Sequence, residues 1–156
     1  MNFNIHIDTD IQSVTDEINQ WKVYIENLGD VLLDVSRFDW QNKDKNLNLI
    51  LCGLEEIKNL NGQYRNKPEA TDVLTFDYSE ENQADIFISM DIAYEQAKQK
   101  GHRLHEELTL LAVHGMLHAS GFDHEISSIE AEKMKKMEIE LLKQLHLEKV
   151  NSLISA

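Results

Sequence analysis

From Leu108 to Ala119 the chain runs Leu-Thr-Leu-Leu-Ala-Val-His-Gly-Met-Leu-His-Ala, without a single Lys, Arg, Asp or Glu. A helical stretch that is apolar almost all round has no face to offer water, so it must lie inside the fold. Any architecture for this chain has to be wrapped around it. Two histidines are set into the run, His114 and His118. A spacing of four stacks their imidazoles one turn apart on the same helix face. Gly121 follows, where a helix needs a left-handed residue to stop. The chain can then turn back and present His124 as a third nitrogen ligand.

The pattern is H-x-x-x-H-x-x-G-x-x-H. Three neutral imidazoles suit zinc, one ion per chain, and another divalent metal would be held by the same set. A lone histidine on an apolar stripe is more often a satisfied core residue, and His114 and His118 do continue the stripe Leu104, Leu108, Leu111. Three histidines at this spacing, with a helix-stopping glycine among them, favour the metal. Three protein ligands leave a fourth position for water, which is the catalytic rather than the structural arrangement. Cys52 is the only cysteine, so a thiolate-rich structural zinc site is unavailable. In the H-E-x-x-H zinc peptidases the residue after the first histidine is the general base. Here it is Gly115, which has no side chain to serve, and ordinary proteolysis is disfavoured.

The stretch His114-Gly-Met-Leu-His118-Ala-Ser-Gly121-Phe122-Asp123-His124 resembles the signature of the YbeY family, H-G-x-L-H-x-x-G-[FY]-D-H. A second block, Asn61-Gly-Gln-Tyr64-Arg65 followed by Thr71-Asp72-Val73-Leu74-Thr75-Phe76, is similar to that family's N-x-x-Y-R…T-D-V-L-S-F. With Asp85-Ile86-Phe87-Ile88-Ser89 the likeness runs from about residue 47 to 145. Three departures stand out. Pro68 is nearer to Arg65 than the family's usual proline, Ala84 stands where glycine is common, and Phe122 replaces the commoner tyrosine. None of them touches a ligand.

The resemblance implies a bacterial ribosomal RNA maturation factor, a metal-dependent endoribonuclease cutting single-stranded RNA. The implied substrate is a ribosomal RNA precursor, at the 3′ end of 16S rRNA, with a further role in ribosome quality control. A ribosomal particle or ribosomal protein is the implied partner; no DNA is expected. The resemblance also gives Arg65 a role on phosphate, for which its planar fork suits two oxygens at once. From the residues alone, an ion pair between Arg65 and Asp72 stays open. Asp123 could orient a ligand imidazole, act as a base, or simply form the turn. Glu107, seven residues before His114 and on nearly the same face, could be a base or a buried, paired carboxylate. His105 is about half a turn away and should not reach the metal.

A net charge of −13 points away from nucleic acid. Two stretches free of acids run against it. Residues 57–68 carry Lys58, Arg65 and Lys67, and residues 96–105 carry Lys98, Lys100 and Arg103. Arg65, Lys67, Lys98, Lys100 and Arg103 are the candidate RNA contacts, with ordinary solvated charge an equal reading. Two other function classes stay in view: a zinc peptidase with its base elsewhere, and a non-catalytic ribosome-assembly factor whose metal only pins the C-terminal turn.

The remaining chain is of ordinary globular composition and one-domain length, 156 residues. A lone cysteine and an N-terminus without a basic start or a long apolar run suit a cytoplasmic protein. No membrane span is expected. Phe3, Ile5 and Ile7 alternate as a strand, and 47–52, 73–78 and 86–88 read as three more. Ile11 to Leu28 recurs at helical spacing, with Trp21 in the core and residues 34–46, including Phe38 and Trp40, as a connection. Helices follow at 54–64, 90–100, 104–120 and from Ser127–Ser128 on, the last with Met134, Met137, Leu141 and Leu145 inward. The fold expected is α+β, a four-stranded mixed sheet with about five helices and the metal site on a buried central helix.

Overall fold

In a computed structural model, residues 2–7, 18, 19, 21, 46–66, 69–119 and 127–145 are described. Four strands, β1 (Asn2–Ile7), β2 (Asn46–Cys52), β3 (Val73–Tyr78) and β4 (Gln83–Ser89), form one sheet in the order β1-β2-β4-β3. β1 and β2 pair in parallel, as do β2 and β4, while β3 runs antiparallel to β4. The described helices are α1 (Leu54–Arg65), α2 (Met90–Lys100), α3 (Leu104–Ala119) and α4 (Ser128–Leu145). This is the expected α+β fold with a mixed four-stranded sheet.

The period-2 alternation decides which way each strand faces. Leu47, Leu49 and Leu51 of β2 and Ala84, Ile86 and Ile88 of β4 are buried on the side that packs against α3. At roughly 1.5–3 kcal/mol for each large aliphatic side chain taken out of water, this layer is a major source of stability. Ala84, at the position where glycine was the expected family residue, is fully buried, so its methyl is absorbed by the core. The other face carries a smaller cluster of Cys52, Ile57 and Leu74, with Phe76 and Phe87 packed against it. Cys52 is fully buried there, a small hydrophobe as its surroundings in the sequence suggested.

Beyond that cluster the same face turns polar. Asn4 donates to Asn48 at 3.3 Å and Asn48 to Asp85 at 2.9 Å, a ladder across β1, β2 and β4. Burial, and after it the charges of Asp85, Tyr64 and Glu81, holds the Tyr78 phenol above its ordinary 10.0. It therefore stays a neutral hydrogen-bonding group across the physiological range.

β4 is longer than the apolar core Ile86–Ile88 implied. A 3-10 turn, Ser79–Glu81, and Asn82 with φ 55° return the chain directly into pairing, Tyr78 opposite Gln83. Ser89 then ends β4 and caps α2, its Oγ accepting from the Ile92 amide at 3.3 Å. Gly101 closes α2 at φ 71°, a backbone conformation that costs glycine little. Ile18 and Trp21, both buried, carry the N-terminal helical stripe into the core; Trp21 Nε1 donates to Thr109 Oγ1 at 3.0 Å. The rest of the stripe from Ile11 to Leu28, the 34–46 connection apart from Asn46 with Phe38 and Trp40, and Lys67 and Pro68 lie outside the described residues. So do residues 120–126, with Gly121, Phe122, Asp123 and His124.

Candidate functional site

α3 is buried along most of its length, packed between the sheet, α2 and α4. Its approach to the sheet is set by one residue. A Cβ built on Gly115 would lie 2.5 Å from Ile86 Cγ2 and 3.4 Å from Thr75 Oγ1. Any side chain there would push α3 off β3 and β4. The position that holds the general base in H-E-x-x-H peptidases is thus filled here by the sheet itself.

One residue away, the histidines occupy the half-buried side of the helix. The rings of His114 and His118 sit edge to face with centroids 4.7 Å apart. Their Nε2 atoms face each other at 3.1 Å. Two bare nitrogen lone pairs at that distance repel, so a proton or a cation must lie between them. Two imidazole nitrogens on one tetrahedral zinc, at Zn–N of about 2.0–2.1 Å, stand about 3.3–3.4 Å apart. The donor pair therefore fits such an ion with little movement. Among the described residues, no group of three His, Cys, Asp or Glu is gathered in metal-binding range, and His124 lies outside them.

The other ring nitrogen of His114, Nδ1, lies 2.5 Å from Oε1 of Glu138 on α4. α4 begins with Ser127 Oγ accepting from the Glu130 amide at 3.1 Å, as the Ser-Ser-Ile-Glu stretch implied. Its rotation is fixed by Met134 and Leu141, both buried. Glu138 lies four residues after Met134 and three before Leu141, on the same stripe, and so points at α3. Sequence reasoning passed over this glutamate. Its signal was a carboxylate in the middle of an otherwise apolar seam.

Arg65 ends α1, just before Asn66 at φ 55°. Its guanidinium donates to the Thr75 carbonyl at 3.3 Å, while Thr75 Oγ1 donates to the Gly115 carbonyl at 3.4 Å. Thr75 on the edge strand β3 thus links Arg65 to the helix turn that bears His114. Asp72, the alternative partner for Arg65, instead accepts from the Val73 amide and from Gln96.

The other candidates are placed at the opposite end of α3. Glu107 is fully buried, with Lys100 Nζ at 2.8 and 3.1 Å and His102 Nε2 at 2.7 Å from its carboxylate oxygens. It is the buried, paired carboxylate of the two readings, not a base beside the histidines. Lys98 and Arg103 are exposed near the α2–α3 junction, and Lys100 joins Glu107 there. Ten residues of helix, about 15 Å, separate the start of α3 from His114. Lys67 falls outside the described residues.

The family model described as Endoribonuclease YbeY matches residues 4–146. An Endoribonuclease YbeY of Nautilia profundicola is 44% identical over 107 residues, spanning 67% of this chain and 75% of the relative. One from Limosilactobacillus reuteri is 38% identical over 136 residues, 76% of this chain and 85% of the relative. The solution structure of TM1509 from Thermotoga maritima superposes with a TM-score of 0.63 at 24% identity, covering 96% of this chain and 93% of that one, a likeness of fold. With the family model matched over residues 4–146 and relatives at 38–44% identity, the protein belongs to the endoribonuclease YbeY family.

Proposed function

We propose that this protein is a zinc-dependent, single-strand-specific endoribonuclease that matures ribosomal RNA precursors, with His114, His118 and His124 holding one metal ion. Family membership supports the coarser statement, a hydrolytic nuclease acting on RNA. The observation that carries the metal is the pair of Nε2 atoms at 3.1 Å, a spacing at which two imidazole lone pairs can share one ion. When bound, zinc supplies Lewis acidity at a phosphoryl oxygen and brings the pKa of water down to about 7.

The chain's own residues do the rest. His114 and His118 present neutral lone pairs from a helix that the core holds rigid. Arg65 clamps a phosphate with its fork, the Thr75 carbonyl steadying it at 3.3 Å. Gly115 leaves no side chain at the position that supplies the general base in H-E-x-x-H peptidases, which supports phosphodiester over peptide hydrolysis. Glu107, the described alternative base for a peptidase, is tied to Lys100 and His102. With few cations near the site and a net charge of −13, free RNA binds weakly. Presentation by a ribosomal particle or ribosomal protein compensates.

The test pairs metal analysis with cleavage of a labelled single-stranded rRNA precursor fragment before and after chelation. One equivalent of zinc, loss of cleavage on its removal and recovery on its return are expected. Full cleavage by metal-free protein would sink the proposal. Hydrolysis of a fluorogenic peptide library would favour the peptidase instead. Arg65→Lys should be nearly as damaging as Arg65→Ala, since geometry rather than charge is required.

A further inference from the structure

The proposed zinc site leaves open what aims its ligands. We infer that Glu138 is a positioning residue, whose carboxylate fixes the tautomer and orientation of His114 so that Nε2 carries its lone pair toward the metal. The inference rests on the zinc reading above, and its test separates the two.

A neutral imidazole has one N–H and one lone pair. An ionised carboxylate only accepts, so a ring nitrogen 2.5 Å from Glu138 Oε1 must be the one bearing the proton. That nitrogen is Nδ1, and the lone pair is left on Nε2. Nε2 is the atom that faces His118 Nε2 at 3.1 Å. These contacts therefore lie on opposite edges of the His114 ring, the outer one dictating what the inner one can do. A carboxylate behind a ligand histidine also raises its basicity, and removing such a partner typically costs about 10–100-fold in metal affinity.

Stability does not account for the pair. The side chains of His114 and Glu138 are 30% and 28% exposed. Partial access to water screens the pair, so its share in folding is discounted. Nor is Glu138 well placed as a surface residue, because it interrupts the seam through which Met134 and Leu141 bury α4. The buried Met134 and Leu141 on either side of it in the stripe set the face of α4 from which the carboxylate reaches His114. That suits it to orient a ring and not to wander as a solvated charge.

The test compares the full-length protein with Glu138→Ala and Glu138→Gln. Zinc affinity is read by competition with a chromophoric chelator, thermal stability in the metal-free state, and the His114 tautomer by ¹⁵N NMR of the imidazole. Wild type should show the Nδ1–H tautomer. Glu138→Ala should lose about 10–100-fold in zinc affinity with the metal-free Tm nearly unchanged. Glu138→Gln should lose less, because its amide oxygen can still accept from Nδ1–H. Equal zinc affinity in wild type and Glu138→Ala would overturn the positioning role and leave the metal site standing. Wild type that takes up no zinc would overturn the metal reading, and this inference with it. Should Glu138→Ala fail to fold, the wild-type tautomer decides: Nε2–H on His114 overturns the inference, Nδ1–H supports it.

Discussion

At each end of α3 a histidine meets a glutamate, but the surroundings of the two pairs differ. At the N-terminal end, Glu107 is fully buried and accepts from Lys100 and His102, so a carboxylate is surrounded by donors. Around Glu107, charge and hydrogen bonding are complementary within the chain. At the C-terminal end, His114 meets Glu138 on one edge and His118 on the other, where two nitrogens of the same kind confront each other at 3.1 Å. Only a proton or a cation reconciles them. A histidine–carboxylate contact alone therefore says little about function. What sets the two apart is the other ring nitrogen, which on His114 faces another imidazole nitrogen and on His102 faces the Glu106 carboxylate at 3.9 Å.

The contrast can be broken most decisively at the C-terminal end, where the metal is proposed. His114→Ala combined with His118→Ala should abolish zinc binding and RNA cleavage together, since a single remaining imidazole cannot hold the ion. Because His114 is 30% exposed, the metal-free double variant should keep its fold by circular dichroism. Full zinc occupancy in that variant would make both ends structural.

The next effect is on how this end is pressed to the sheet. Gly115→Ala brings a methyl within 2.5 Å of Ile86 Cγ2, a methyl on a β-branched, fully buried side chain with little freedom to move. Overpacking of this kind costs about 1–3 kcal/mol in chemical unfolding and should disturb zinc affinity as α3 shifts. In an Ile86→Ala background the same substitution should cost much less. Equal costs in both backgrounds would mean that the contact does not set the helix position.

The smallest effect belongs to the closed end. Lys100→Met leaves the buried Glu107 with His102 as its remaining described partner and should lower stability by about 1–2 kcal/mol, the half-exposed lysine moderating the loss. Zinc affinity should not change. A loss of metal binding in Lys100→Met would erase the distinction between the two ends.

Much of this is legible in the residues alone. The strands announce themselves by alternation, and Ser89, Gly101 and Ser127 mark helix boundaries through local hydrogen bonding and backbone preference. His114 and His118 can be paired from their spacing, because a helix fixes the relation of residues four apart. The roles of Lys100 and Glu138 are not legible in this way. Lys100 reads as a candidate RNA contact, yet it also reaches the Glu107 carboxylate across the α2–α3 turn. Nothing in the order of residues announces a contact that depends on how two helices meet at a turn.

The sequence by itself determined the local and periodic features: four strands, the buried central helix, its paired imidazoles, and the missing carboxylate at Gly115. These follow from 2.0- and 3.6-residue repeats and from short-range backbone chemistry, which need no knowledge of neighbours. Tertiary structure decided the order β1-β2-β4-β3, the placement of Arg65 beside Thr75, and the meeting of Glu138 with His114. Each joins segments whose separation in sequence carries no geometric information, until core packing sets how one element is rotated against the next. Met134 and Leu141 aim Glu138 at α3 only because both are buried.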